Sequence, residues 1–244
     1  MAQENKTCHV LICVAVATCL FFWGNAHALE WELSGQLSGW TGGSYNGDES
    51  WENNSGLRYI PQLSVKQPLN EDSFIDAEIS CNAFAATDET DEGEKYDLDL
   101  YRAKLRYATA QTETRIGLQK INFGPAQLLR PLMWFDRLNP TDPLKLTEGV
   151  YALRFRYDAL NNAGFWLWVL YGNKDPKGYE ALPTVSGKPE FGGRLQYPIL
   201  GGELAGTCHF RRVDGDALFI RDYWEERLAL DGQWDIGIGL WFEA

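Results

Sequence analysis

The sequence predicts an all-β chain that folds as an antiparallel transmembrane β-barrel with one long loop folded inward. Three observations predict it. Apolar and polar residues alternate with a period of two, the polar series carries several charges per strand, and short and long connections take turns along the chain.

The alternation recurs from Trp31 onward. Trp31, Leu33, Gly35 and Leu37 oppose Glu32, Ser34, Gln36 and Ser38. Leu57, Tyr59, Pro61, Leu63 and Val65 oppose Arg58, Gln62, Ser64 and Lys66. Ile75, Ala77, Ile79, Cys81 and Ala83 oppose Asp76, Glu78, Ser80 and Asn82. Tyr101, Ala103, Leu105 and Tyr107 oppose Arg102, Lys104 and Arg106. Tyr151, Leu153, Phe155 and Tyr157 oppose Arg154 and Arg156, and Trp234–Phe242 sets Ile236, Ile238 and Leu240 against Asp235, Gly237 and Gly239. Weaker runs near 112–122, 163–172, 189–197, 203–212 and 218–230 bring the expectation to about eleven strands of membrane-spanning length.

The content of the two series separates a membrane strand from a soluble one. The apolar series is built of aromatics and large aliphatics with Tyr or Trp near strand ends, as a girdle at a lipid–water boundary requires. The opposite series holds more charge than a packed sandwich core accepts. Links 41–56, 85–96, 123–147 and 173–187 are long, whereas 68–72, 109–111, 159–162 and 198–202 are short. Only 213–217 breaks the rhythm, being short where a long link is due.

Bacterial single-chain barrels have even strand numbers, and this chain ends Trp241-Phe242-Glu243-Ala244 on an odd count. Either one strand is merged or missed, or the sequence is a fragment whose last strands lie further on. The fragment is the expectation, because an unpaired edge in lipid is costly.

The N-terminus predicts export. Lys6 precedes an apolar run from Val10 to Phe22 and a small-x-small site at Ala26-His27-Ala28, so residues 1–28 are expected to be a cleaved signal peptide and 29–244 the barrel in a Gram-negative outer membrane. Phe21, Phe22 and Trp23 after Cys19 argue against a lipoprotein signal. Cleavage leaves Cys81 and Cys208, neither a disulfide framework nor a metal cluster. A net charge of −12 disfavours nucleic acid as a partner. The expected partners are outer-membrane lipid and small anionic solutes, with no cofactor and no metal.

Residues Gly117–Gly124, followed by Arg130-Pro131-Leu132 and Asn139-Pro140-Thr141-Asp142-Pro143, resemble porin-type outer-membrane proteins of the broad alginate-export class. The resemblance covers about a third of the mature chain. It implies a strand with Gly-x-Gln and an aromatic-Gly pair running into an Asn-Pro-x-Asp loop, and it does not specify cargo. Leu118 stands where such relatives often carry a basic residue.

The same stretch has its own physical reading. Gln127–Leu138 can form about two helical turns, broken or started by Pro131. Leu128, Leu129, Leu132, Trp134, Phe135 and Leu138 are too apolar for a loop left in water, so this third long link is expected to fold into the barrel. Arg130, Asp136, Arg137 and Asp142 then become candidates for a constriction, against the plainer alternative of a structural lid.

Projecting the polar series inward gives Arg102, Lys104, Arg106, Arg115, Arg154, Arg156, Arg194 and Arg211 as pore-lining candidates. Clustered guanidinium groups in a low-dielectric tube concentrate anions and grip carboxylates in a forked geometry. Against this, Asp76 and Glu78 on the neighbouring strand offer ordinary cross-strand ion pairs. Acidic residues of the links, among them Asp88, Glu89, Asp91, Glu92 and Glu94, read as solvated charge.

No enzyme is expected. His209, the one histidine after residue 28, has no Ser two residues away, and no Gly-x-Ser-x-Gly, phosphate loop or zinc pattern is present. The expected function is a porin-like channel for small anionic solutes. The alternative is a non-conducting barrel acting as adhesin or assembly scaffold, with Trp51 and Tyr179 among its contacts; a soluble sandwich that binds carbohydrate through its Trp residues stands last.

Overall fold

The computed structural model describes residues 29–46, 50–88, 93–126, 130–138 and 146–244. The expected signal peptide and Asp142 lie outside these residues, as do Leu128 and Leu129. Eleven strands form one antiparallel sheet in sequence order: β1 (Glu30–Asn46), β2 (Ser50–Asn70), β3 (Ser73–Asp88), β4 (Gly93–Ala108), β5 (Thr112–Gln119), β8 (Val150–Asp158), β9 (Gly164–Leu170), β10 (Glu190–Ile199), β11 (Gly202–Val213), β12 (Tyr223–Asp235) and β13 (Gly239–Glu243). Two short strands, β6 (Arg137–Leu138) and β7 (Thr147–Glu148), pair inside the longest link. A single 3-10 turn at Asp216–Leu218 is the one helical element among the described residues.

The chain divides into two compact units at Leu105 and Arg106. In the first, Trp31 pairs with Val65, Leu33 with Leu63 and Leu37 with Tyr59, so the apolar residues of β1 and β2 share one face. That face is bare: Trp31, Leu33 and Leu37 are each about 70% exposed. The other face holds covered Arg58, whose guanidinium lies 5.0 Å from the ring of Phe84, and a 2.9 Å ion pair between Lys104 and Glu78.

The second unit repeats the inversion with more cover. On β8, Tyr151 and Leu153 are exposed while Arg154 is 5% exposed. On β12, Leu228 is 75% exposed and Asp231 only 2%. Exposed Phe165, Leu167 and Val169 continue the bare apolar face, opposite buried Trp168. Soluble proteins rarely leave a contiguous apolar face uncovered, and still more rarely cover the charged one.

From β4 onward the links keep the expected rhythm and mend its exception. In the second unit the tight links 109–111, 159–163, 200–201 and 236–238 lie at one end of the strands, and 120–149, 171–189 and 214–222 at the other. Residues 213–217 are no short turn, because β12 begins at Tyr223 rather than Leu218 and the connection runs through the 3-10 turn. The expected strand over Trp234–Phe242 is instead a hairpin. Asp235 accepts a 3.2 Å hydrogen bond from the Gly237 amide, and Gly237 takes φ +88°, a local turn that overrides the alternation.

Two further expectations are corrected. Residues 41–56 and 85–96 are mostly ladder rather than long loops: β1 and β2 run outward to the pair Asn46–Ser50, β3 runs to Asp88 and β4 starts at Gly93. Within Gln127–Leu138, the described residues 130–138 hold turns and the strand β6 in place of a helix. Pro131 lacks an amide hydrogen, and the Met133 and Trp134 amides close short turns onto Arg130 and Leu132.

Candidate functional site on the covered polar face

Antiparallel pairing places the charged residues of neighbouring strands side by side. Glu113 of β5 faces Arg156 of β8, and Arg115 faces Arg154; Arg154 and Arg156 face Trp168 and Trp166 of β9. The outcome is a cationic row around one carboxylate. Glu113 accepts from Arg115 Nη2 at 2.7 Å, from Arg106 Nη1 at 3.5 Å and from Arg154. The Trp166 ring lies 5.2 Å from the Arg154 guanidinium carbon and 5.1 Å from that of Arg156. Arg156 Nε donates to Asp158 at 2.9 Å. Arg115 Nε and Arg154 Nε are buried without a protein partner. Such donors need water or a ligand, since an unsatisfied buried group costs about 1–3 kcal/mol.

Across β10 to β12 the charges are paired more completely. Arg194 grips Asp231 through both guanidinium nitrogens, at 2.5 and 2.8 Å, and donates to Thr207 Oγ1 at 3.0 Å. His209 is fully buried between Trp168, whose indole N–H donates to Nδ1 at 3.2 Å, and Glu190, 3.1 Å from Nε2. The Trp donor fixes the tautomer, leaving Nε2 to carry the proton toward Glu190. Arg211 binds Glu225 at 2.7 Å and Glu180 at 3.0 Å, and Arg227 joins the same two carboxylates. Glu180 and Lys177 come from the link 171–189, with Lys177 2.8 Å from Glu190 and 3.1 Å from Glu180.

The link 120–149 lies on this same face. Phe123 stacks on Trp168 at 5.7 Å, and Phe135 meets Trp168 edge-on at 5.7 Å and His209 at 5.0 Å. These rings join Ile121, Leu132, Trp134, Val150, Ala152 and Leu170 in a buried apolar cluster. The loop is held from β13, where Glu243 accepts the Ala126 amide at 2.7 Å and the Leu132 amide at 3.4 Å. It also touches the link 171–189 backbone to backbone. A Cβ on Gly178 would lie 2.2 Å from the Met133 carbonyl oxygen, at φ +50°, so only glycine fits.

Of the eight pore-lining candidates, Arg106, Arg115, Arg154, Arg156, Arg194 and Arg211 share the polar face of the second unit, and each has an acidic partner there. Lys104 pairs with Glu78 in the first unit, where Arg102 is buried against Tyr101, its guanidinium 3.9 Å from that ring. Of the loop candidates, Asp136 is 1% exposed, 3.5 Å from Arg130 and 3.8 Å from Lys120. Its Oδ1 has no partner. Arg137 lies on β6 by its backbone; its side chain, like Asp142, lies outside the described residues. Tyr179 donates to the Arg130 carbonyl at 3.2 Å, tying the two links together.

Sequence reasoning did not single out Glu113, Lys177, Glu180, Glu190, Glu225 or Asp231. Four follow from parity, because the acids on the polar series of each strand must meet the bases of its neighbour. Lys177 and Glu180 sit three residues apart in a loop, and no period marks them. No protein-family model matches the chain, and no curated protein matches it.

Proposed function

We propose that this chain forms the wall of an outer-membrane β-barrel of porin type, reached by export on an N-terminal signal, and that it passes small anionic solutes. One observation carries the reading: along the strands of the second unit one face is bare and largely apolar, with Leu153, Leu167, Leu195 and Leu228 exposed, while Arg154, Arg194, Arg211 and Asp231 on the other face are covered. A hydrocarbon surround and a wet interior together satisfy that arrangement; water on both faces does not. A closed barrel also needs partners for the outer edges of β1 and β13, which have one ladder neighbour each among the described strands.

The anionic preference rests on the row around Glu113. Arg115 and Arg154 share one carboxylate, and the Nε of each is buried without a hydrogen-bond partner among the described residues. A passing carboxylate or phosphate fits that deficit. The resemblance to alginate-export porins points the same way as to fold and leaves the cargo open.

Refolded full-length protein in a planar bilayer tests the reading. Discrete conductance with anions carrying most of the current is expected, and Arg154→Gln with Arg115→Gln shifts the reversal potential toward cations. A cation-selective channel indifferent to both substitutions overturns the solute assignment.

A second reading has its own observation. The aromatic cluster of Phe123, Trp134, Phe135 and Trp168 fills part of the polar face, as a plug in a non-conducting scaffold or adhesin does. Absence of conductance from protein that is correctly inserted in the membrane selects it.

A further inference from the structure

The link 214–222 presents an apolar turn with no protein partner. Phe219 is 98% exposed, with Leu218 at 59% and Ile220 at 48%. Phe219 also holds φ +58°, a left-handed conformation that a bulky side chain adopts only at a cost. The turn is closed by its own backbone, from the Phe219 amide to Asp216 at 3.0 Å and from the Ile220 amide to Gly215 at 3.1 Å. These backbone hydrogen bonds hold the strained residue in place with its ring exposed.

The surroundings say what could receive it. Beside the turn, the bare face of β10 to β12 ends in an aromatic group, where Phe191 stacks on Phe210 at 5.4 Å and meets Trp224 at 6.3 Å. Arg212 is the register partner of Trp224 on that face. Arg212 and Arg221, with Asp216, Phe219, Ile220 and Asp222, line an open hollow of about 820 Å³. Neither arginine has an ion-pair partner among the described residues. Three acids, Asp214, Asp216 and Asp222, cluster in the same turn, where Asp214 accepts the Asp216 amide at 3.0 Å and Asp222 the Gly215 amide at 3.4 Å.

Apolar rings, a neighbouring Trp and Tyr, and two guanidinium groups on one hollow are the chemistry of a bilayer interface. We infer that Leu218–Ile220 is a lipid anchor: the turn dips into the headgroup region of the membrane beside the sheet, and Arg212 and Arg221 bind lipid phosphates. The inference rests on the membrane reading and adds to it a specific contact outside the strands.

The test places an environment-sensitive fluorophore on Phe219→Cys, with Leu218→Cys as a second variant and Leu228→Cys as the mid-strand control, all in the full chain with Cys8, Cys13, Cys19, Cys81 and Cys208 replaced by Ala. The proteins are reconstituted in vesicles of phosphatidylethanolamine and phosphatidylglycerol that carry shallow or deep lipid-borne quenchers. Shallow quenching at 218 or 219 with deep quenching at 228 is expected. Arg212→Gln and Arg221→Gln should each lower the inserted-to-exposed ratio of the turn by roughly fivefold, the factor one charge near an anionic surface supplies. Quenching at 228 without quenching at 218 and 219 overturns the anchor and leaves the membrane reading standing. Loss of quenching at all three positions removes both.

Discussion

Arg194 on β10 and Asp231 on β12 form a forked ion pair that reaches across the intervening strand β11, with Thr207 of that strand as the third partner. Both side chains are almost fully covered, and the Arg194 guanidinium also lies 5.6 Å from the Phe123 ring of the link 120–149. One pair thus locks three strands and touches the loop that lies on them.

Breaking that pair from one side leaves a covered charge without its partner. Asp231→Asn should lower unfolding free energy in detergent by about 3–5 kcal/mol, and Arg194→Met combined with Asp231→Leu should recover much of the loss. Urea titration followed by tryptophan fluorescence reads both. A cost under about 1 kcal/mol for the single change would place the pair in open solvent.

The two faces should answer oppositely to one substitution. Leu153→Arg, on the bare side, is expected to cost about 2–4 kcal/mol of folding into vesicles if its level is mid-bilayer. Ala152→Ser, on the covered side, should fold and insert nearly as the parent does. Folding efficiency by gel mobility of unheated samples separates the two.

Glu243 and Gly178 hold the loop from two sides. Glu243→Gln keeps the size but weakens the acceptor for the Ala126 and Leu132 amides, and Gly178→Ala drives a methyl group against the Met133 carbonyl. Each should speed protease cleavage within 120–149 several-fold while the strands stay protected. Unchanged cleavage in both variants would mean that the aromatic cluster alone fixes the loop.

The sheet was legible because a strand writes its two faces into alternate residues, and each expected run lies on one of the eleven strands, apart from the run at Trp234–Phe242, which a turn divides, and the run near 218–230, which becomes strand only at Tyr223. What escaped were places where a local interaction beat the period. Asp235 and Gly237 make a turn inside an unbroken alternation, and Pro131 with its neighbours makes turns where apolar spacing suggested a helix. The loop's burial was legible from Leu132, Trp134 and Phe135, whose rings no exposed link would carry. Its landing place was not, because the partner Trp168 reads like any other apolar strand residue. The pairing of the arginines was legible only as an alternative; Glu113 and Asp231 became their partners through strand order, which no local pattern states.

Cysteine substitutions taken singly along Tyr151–Tyr157 test the central claim most directly, with the native cysteines removed and the protein in vesicles. Positions 152, 154 and 156 should react with a charged, water-soluble thiol reagent, while 151, 153 and 155 should react only with a lipid-soluble one. Equal reaction of both sets with the charged reagent, or the reverse alternation, would contradict a wall that is greasy outside and wet within.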